Sequence, residues 1–401
     1  GKPHPIYPLK LENRFSRWSR VFPLIGAAWG KRRSDVCLTE YLANLTIVFQ
    51  GGTGVTNQIE IRIAKREPFA CGHAFEGSGV YEKLAGRAHF AVDPLAAAQA
   101  GIVDLGKAPI NDSGLVEFAA DLIILKPADM AQGNGRLFFD YGNRGNIRAL
   151  QFFNDAPGSN DPSTLDHAGN GFLMRRGYSI VWGAWQGDLL PGDGRMLLDV
   201  PIARNSDGSP ITGPVRSEFI VEVPGQTCMP LSSRASTRSH PVVSLDTKAA
   251  KLTRRRYPDD PREPISADQW AFARVEGGVG LDNQGAELAI VPSNMHVYLP
   301  TGFEPGWIYE IVYAARDPQV LGLGHVAVRD LVSFLKYDSK DAAGNVNPLA
   351  NAIEKAYCWG RSQTGRCIRD SIYRGFNADV EGRKVFDGAL SHVAGGGLMW
   401  M

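Results

Sequence analysis

The chain has 401 residues, of which 44% are hydrophobic and 21% charged, and its 43 basic and 42 acidic residues leave a formal net charge of +1. This length suits two domains, or one large domain with an insertion, and the balanced charge carries no electrostatic footprint for nucleic acid. No apolar run approaches the roughly 18 to 20 residues of a membrane span, so a neutral or small-molecule partner is the default expectation.

Residues 1–45 read as a poorly structured leader. Their most apolar stretch, "VFPLIGAAWG" (21–30), lies between Arg20 and the run Lys31 to Arg33, which suits no export cleavage site. The compartment stays open, a soluble secreted or periplasmic protein included, and so does the oligomeric state. Five scattered cysteines, Cys37, Cys71, Cys228, Cys358 and Cys367, lack any CxxC pair and read as buried free thiols.

From 46 to 128 the pattern is short and alternating, in "NQIEIRIAKR", "AGRAHFAVD" and "LVEFAADLIILKP", which predicts strands with turn-rich connections. From 129 the rhythm changes. "GRLFFDYGNRGN" (135–146) is a buried strand running into a Gly/Asn loop, and 168–188 reads as a helix ending at Gly177 followed by the strand "YSIVWGAW". Strand, helix and strand in succession predict an α/β fold with a doubly wound, mostly parallel sheet over 129–190 and 306–401. Ligands of such a fold lie beyond the carboxyl ends of the strands.

Residues 191–305 return to strands and turns and read as an insertion, expected to pack with 46–128 as one accessory β-rich domain. From 308 the α/β rhythm resumes with the strand "WIYEIVYAA", a helix with Val328, Leu331, Val332 and Leu335 on one face, and the short strand "KAYCW" (355–359). After Ser362, Ile368, Ile372 and Phe376 recur every fourth residue and predict a helix with that stripe on the sheet. A last buried strand and a glycine loop are expected in "KVFDGALSHVAGGG" (384–397).

"GRSQTGR" (360–366) therefore puts a serine at a sharp strand-to-helix turn between Gly360 and Gly365. A turn of this kind lifts the hydroxyl above the sheet and leaves little room for neighbouring side chains, hence the small residues. The following helix aims its first N–H groups at the same point. That arrangement suits acyl transfer, with Ser362 as nucleophile and the Gln363 N–H donating to the oxyanion. No nucleotide-phosphate or zinc motif occurs and no cofactor is implied.

"GRSQTGR", "FFDYGNRGN" and "RRGYSIVWGAWQGD" together resemble the α/β-hydrolase superfamily. In detail the chain is similar, from about residue 50 onward, to large bacterial alpha/beta-hydrolase-domain proteins with a strand-rich N-terminal half. The resemblance implies a serine hydrolase cleaving a small-molecule ester or related acyl substrate. It puts Asn143 and Arg144 in the second oxyanion loop, after the third core strand, and Trp185 and Asp188 near the substrate, after the fourth.

Two departures stand out. Thr364 occupies the position of the second glycine of G-x-S-x-G, which implies a modified elbow. The family order is Ser, then Asp or Glu, then His, yet residues 363–401 contain only Asp370, Asp379, Glu381, Asp387 and the single histidine His392. Asp370, with Arg366 and Arg374 at i±4 spacing, reads as an ion pair rather than a triad acid. The expectation is a chain lacking the final strands with the acid and base; the alternative is a shortened enzyme that uses His392 as base. A non-catalytic ligand-binding protein is the competing reading from another class.

Overall fold

The computed structural model describes residues 57–276, 289–397 and 399; the expected leader and its apolar stretch lie outside them. In chain order the longer strands are β1 (Gln58–Pro68), β2 (Gly79–Val92), β3 (Val116–Pro127), β4 (Arg136–Asp140), β5 (Ser179–Gly183), β6 (Thr212–Ile220), β7 (Lys251–Arg255), β8 (Ile308–Arg316), β9 (Lys355–Arg361) and β10 (Gly388–His392). The helices are α1 (Ala149–Phe153), α2 (Leu165–Ala168), α3 (Phe172–Arg175), α4 (Leu323–Tyr337) and α5 (Gln363–Tyr373).

The fold is mixed α/β. Among the described residues its main sheet has nine strands, seven of them in the order β1-β2-β3-β5-β4-β9-β10, with Ala74–Phe75 paired to β2 and Leu198–Asp199 to β3. Only the run β5-β4-β9-β10 is parallel, while β1, β2 and β3 pair antiparallel with one another and β3 with β5. The expectation of a mostly parallel sheet is thus corrected. The N-terminal strands alternate in period two, and that alternation buries one face wherever their antiparallel partners happen to lie.

The same pairing differs from the expected association of 46–128 with 191–305. Strands β1 to β3 extend the main sheet instead of packing with residues 191–305. Those residues build their own four-stranded antiparallel sheet, ordered Glu263–Ile265, β7, β8, β6. Strand β8, expected in the parallel core, is central to this second sheet, and Tyr309, Ile311 and Tyr313 pack with Phe219, Phe272 and Phe303 in a separate apolar core. Short strands Cys228–Pro230 with His296–Tyr298, and Ala273–Val275 with Ile290–Pro292, complete the insertion.

Helices lie on both faces of the parallel half. In β9 successive residues point to opposite sides: Trp359 meets the rings of Phe152 and Phe153 at α1, whereas buried Cys358 neighbours Cys367 of α5. The expected single helix over 168–177 is two short ones. Gly169 and Gly171 both adopt positive φ between α2 and α3, and a Cβ on Gly169 would stand 2.1 Å from the Asn154 carbonyl oxygen. Gly177, at φ 74, ends the second piece as anticipated.

Helix α4 is buried nearly all round, His325, Arg329 and Lys336 included. In α5 the buried face is Thr364, Gly365, Cys367, Ile368 and Ser371, with Phe376 just beyond; Ile372 is 48% exposed and leaves the expected stripe. Among the described residues no helix is long and apolar enough to cross a membrane, no disulfide forms, and Cys228, Cys358 and Cys367 are buried thiols while Cys71 is exposed.

Candidate functional site

All four parallel strands end at one edge: β4 at Asp140, β5 at Gly183, β9 at Arg361 and β10 at His392. The chain passes from β4 to β5 on one side and to β9 on the other, so the crevice between β4 and β9 is a topological switch point, where α/β sheets place ligands. Tyr141 N–H donates to the Trp359 carbonyl across it at 3.0 Å.

Ser362 stands between β9 and α5 with φ 60 and ψ −115, a conformation that costs a non-glycine residue on the order of 1–3 kcal/mol. The surroundings hold it there. Its N–H donates to the His392 carbonyl at 2.9 Å, and its own carbonyl accepts the first helical bond, from Arg366 N–H at 3.0 Å. The residue is exposed, and its hydroxyl does not cap the helix.

The small residues are required by contact. A Cβ on Gly360 would lie 2.7 Å from the Thr364 carbonyl carbon and 2.8 Å from its Oγ1, and one on Gly365 would lie 2.8 Å from the His392 carbonyl oxygen. Thr364 is the departure anticipated from the sequence. It is buried, its Oγ1 accepts the Arg361 N–H at 2.8 Å, and its hydroxyl reaches the Arg361 carbonyl at 3.1 Å. The β-branched residue thus clasps the turn with its hydroxyl, and the clearance comes from Gly360.

Residues 143–146 form a tight turn. Asn143 and Asn146 exchange backbone hydrogen bonds at 2.9 and 3.1 Å, and Arg144 and Gly145 between them have φ 53 and 76. The Asn143 N–H is therefore engaged, and its side-chain Nδ2 donates instead to the Arg361 carbonyl at 3.3 Å, tying this loop to the elbow. Arg144 N–H and Gln363 N–H take no backbone partner among the described residues.

Asp140, which sequence reasoning missed, fixes the loop. It is fully buried, and its Oδ2 accepts from Arg148 N–H and Ala149 N–H, both at 2.7 Å, and from Trp182 Nε1 at 2.8 Å. Burial raises its pKa to about 6 against the pull of those donors. The available signal was a carboxylate closing the otherwise apolar strand "RLFFD".

Trp185 is buried and donates Nε1 to the Gly142 carbonyl at 2.7 Å, so it supports the turn as well as lining space near the elbow. Trp185, Asp188 and Gln363 share a small cavity of about 60 Å³ with Met399, and buried Gln363 Oε1 has no hydrogen-bond partner among the described residues. Asp188 is half-buried and its charge is felt by Arg144. On the other side of the elbow, Arg361 and Thr364 line a cavity of about 450 Å³ with Asn143, Arg144, Arg148 and Phe152. A larger groove of about 730 Å³ lies over β1 to β3 and contains none of the elbow residues.

His392 is exposed at the end of β10, opposite Arg361 in the register. Its backbone supports Ser362, and its imidazole has no hydrogen-bond partner among the described residues. Asp370 is fully buried and bonded to Arg374 Nε at 2.9 Å, as expected for an ion pair; Arg366 instead reaches the Ala394 carbonyl. The other partner of Asp370 was not foreseen. His325 of α4 places Nε2 3.4 Å from Asp370 Oδ2 and stacks on Phe376, and burial lowers its pKa to about 4. Nothing local in the sequence links residues 325 and 370.

Comparison of the chain with protein-family models, with curated proteins and with solved structures finds no match.

Proposed function

We propose that this protein is a serine hydrolase of the α/β-hydrolase type, acting on an ester or related acyl substrate through an acyl-enzyme on Ser362. The observation that carries the reading is the backbone of Ser362 at φ 60 and ψ −115, exposed on a strand-to-helix turn with helix-terminal N–H groups beside it. Counting β2 as the first core strand, the Asn143–Asn146 loop follows the third and Trp185 the fourth, in keeping with the resemblance.

In this reading Ser362 Oγ bonds to the acyl carbon, the alcohol leaves with the serine proton, and water releases the acid and restores the hydroxyl. The N–H groups of Gln363 and Arg144 receive the oxyanion charge. His392 is the candidate base on the described chain. The competing reading, a binding protein that turns nothing over, is favoured by one observation: no side chain among the described residues is hydrogen-bonded to the Ser362 hydroxyl.

An alkyl fluorophosphonate decides between them. Intact-mass and peptide analysis should find one adduct, on Ser362, absent from Ser362→Ala, and that variant should lose cleavage of p-nitrophenyl esters. An unlabelled Ser362 in folded protein, or ester cleavage that survives the substitution, would reject the hydrolase.

A further inference from the structure

The cavity on the Arg361 side of the elbow has an unusual charge arrangement. Three arginines, Arg144, Arg148 and Arg361, line it together with Phe152 and Trp359, and among the described residues no Asp or Glu does. None of the three forms a salt bridge among the described residues. Arg148 Nη1 donates to the neutral Gln151 Oε1 at 2.8 Å, and Arg361 lies 5.3 Å from the centroid of the Phe152 ring.

The electrostatics agree. Arg144 sits at positive φ on the turn that Asp140 anchors, partly desolvated and next to Arg234, and both influences disfavour its charge; Asp188 compensates from the other cavity. The three arginines are offset only from outside the cavity lining, by Asp188 toward Arg144 and by buried Asp140 toward Arg148, so an anion seated among them would be held favourably. Asp140 interacts electrostatically with Arg148, but it makes no salt bridge to any of the three arginines, and its Oδ2 is taken by backbone N–H groups and Trp182.

We propose that this cavity binds a carboxylate, and that the acyl substrate is an anionic ester, a half-ester of a dicarboxylic acid, whose free carboxylate is held by Arg144, Arg148 and Arg361 while its ester carbonyl lies at Ser362. Planar guanidinium forks suit a carboxylate bidentately, and the flanking Phe152 and Trp359 rings cover the apolar linker between the two acid groups. The substrate class rests on the hydrolase reading; the anion site does not.

Two measurements separate them. The first compares kcat/KM for the mono-p-nitrophenyl ester of glutaric acid with that for neutral p-nitrophenyl butyrate, in wild type and in Arg148→Met and Arg361→Met. The anionic ester should be preferred, and each substitution should lower the preference by about tenfold to a hundredfold, as expected for a charge-assisted hydrogen bond. The preference should also shrink as salt rises. The second is calorimetric binding of glutarate, and separately of inorganic phosphate, to Ser362→Ala, with denaturation midpoints confirming that every variant is folded. Saturable glutarate binding lost in the arginine variants supports the site even if no ester is cleaved. Cleavage of the neutral ester with no preference and no glutarate binding would overturn the anion site and leave the hydrolase standing. Phosphate binding in place of glutarate would overturn the carboxylate assignment.

Discussion

Gly365→Ala tests whether α5 is packed as closely on the end of β10 as the elbow requires. The added Cβ would lie 2.8 Å from the His392 carbonyl oxygen, 2.9 Å from the Gly360 carbonyl oxygen and 3.2 Å from the His392 nitrogen. Ordinary carbon–oxygen contact needs about half an ångström more, and backbone on both sides leaves no flexible atom to yield. Such overpacking costs roughly 1–3 kcal/mol. The same His392 carbonyl accepts the Ser362 N–H at 2.9 Å, so displacing it also threatens a hydrogen bond worth about 1 kcal/mol. The expected loss is therefore roughly 2–4 kcal/mol in urea unfolding, accompanied by slower fluorophosphonate labelling because the strained conformation of Ser362 is no longer held. Gly213→Ala, where a Cβ meets nothing within 4 Å, is the control and should change stability by less than about 0.5 kcal/mol. If Gly365→Ala matches the control in both stability and labelling, the tight strand-to-helix packing is refuted.

Asp140→Ala strands three donors, Arg148 N–H, Ala149 N–H and Trp182 Nε1, and should cost roughly 2–4 kcal/mol by urea unfolding, with Asp140→Asn recovering part of the loss through its remaining acceptor. His325 has a folded pKa of about 4, below its ordinary value of 6.5, so the unfolded chain binds the extra proton between those values. Its contribution is complete above about pH 6.5 and is lost as pH falls toward 4, roughly 3 kcal/mol. Asp140, raised to about 6, acts in the opposite direction within this window, so the readout is the difference between wild-type and His325→Gln stability curves, which should flatten on the acid side in the variant; parallel curves would refute the assignment. In the second sheet Glu310 accepts from Arg262 at 2.7 and 3.0 Å and from Arg216 and Arg255 at 3.1 and 3.3 Å. Glu310→Ala leaves buried Arg255 with only Glu218 and should destabilise by about 3–5 kcal/mol, measured by thermal unfolding; a change under about 1 kcal/mol would show that this charge cluster is solvent-compensated.

The elbow was legible because its causes are local. The apolar run before Ser362, the helical spacing after it and the glycines at 360 and 365 all act within a few residues, and they place the serine on the turn found at φ 60. The strands β1 to β5 and the helix α4 were legible for the same reason, since periodicity reports which faces are apolar. A β-branched Thr364 could be expected to crowd the turn, but not that its hydroxyl would clasp it: whether a buried hydroxyl finds a backbone partner depends on a turn geometry that the residue name does not carry.

What only the tertiary structure decided is which faces meet. Strand β8 looks like a core strand by composition, yet its partners are β6 and β7, about 50 to 100 residues earlier, and strands β1 to β3 prolong the main sheet. His325 meets Asp370, and Arg361 joins Arg144 and Arg148 around one cavity, through contacts between segments far apart in sequence. The sequence by itself determined the local backbone and the apolar faces, because propensity, steric clearance and helix periodicity are short-range. Pairing and the convergence of charge were settled by the burial of those faces against one another, a free energy that belongs to the assembled core and has no counterpart in any single stretch of the chain.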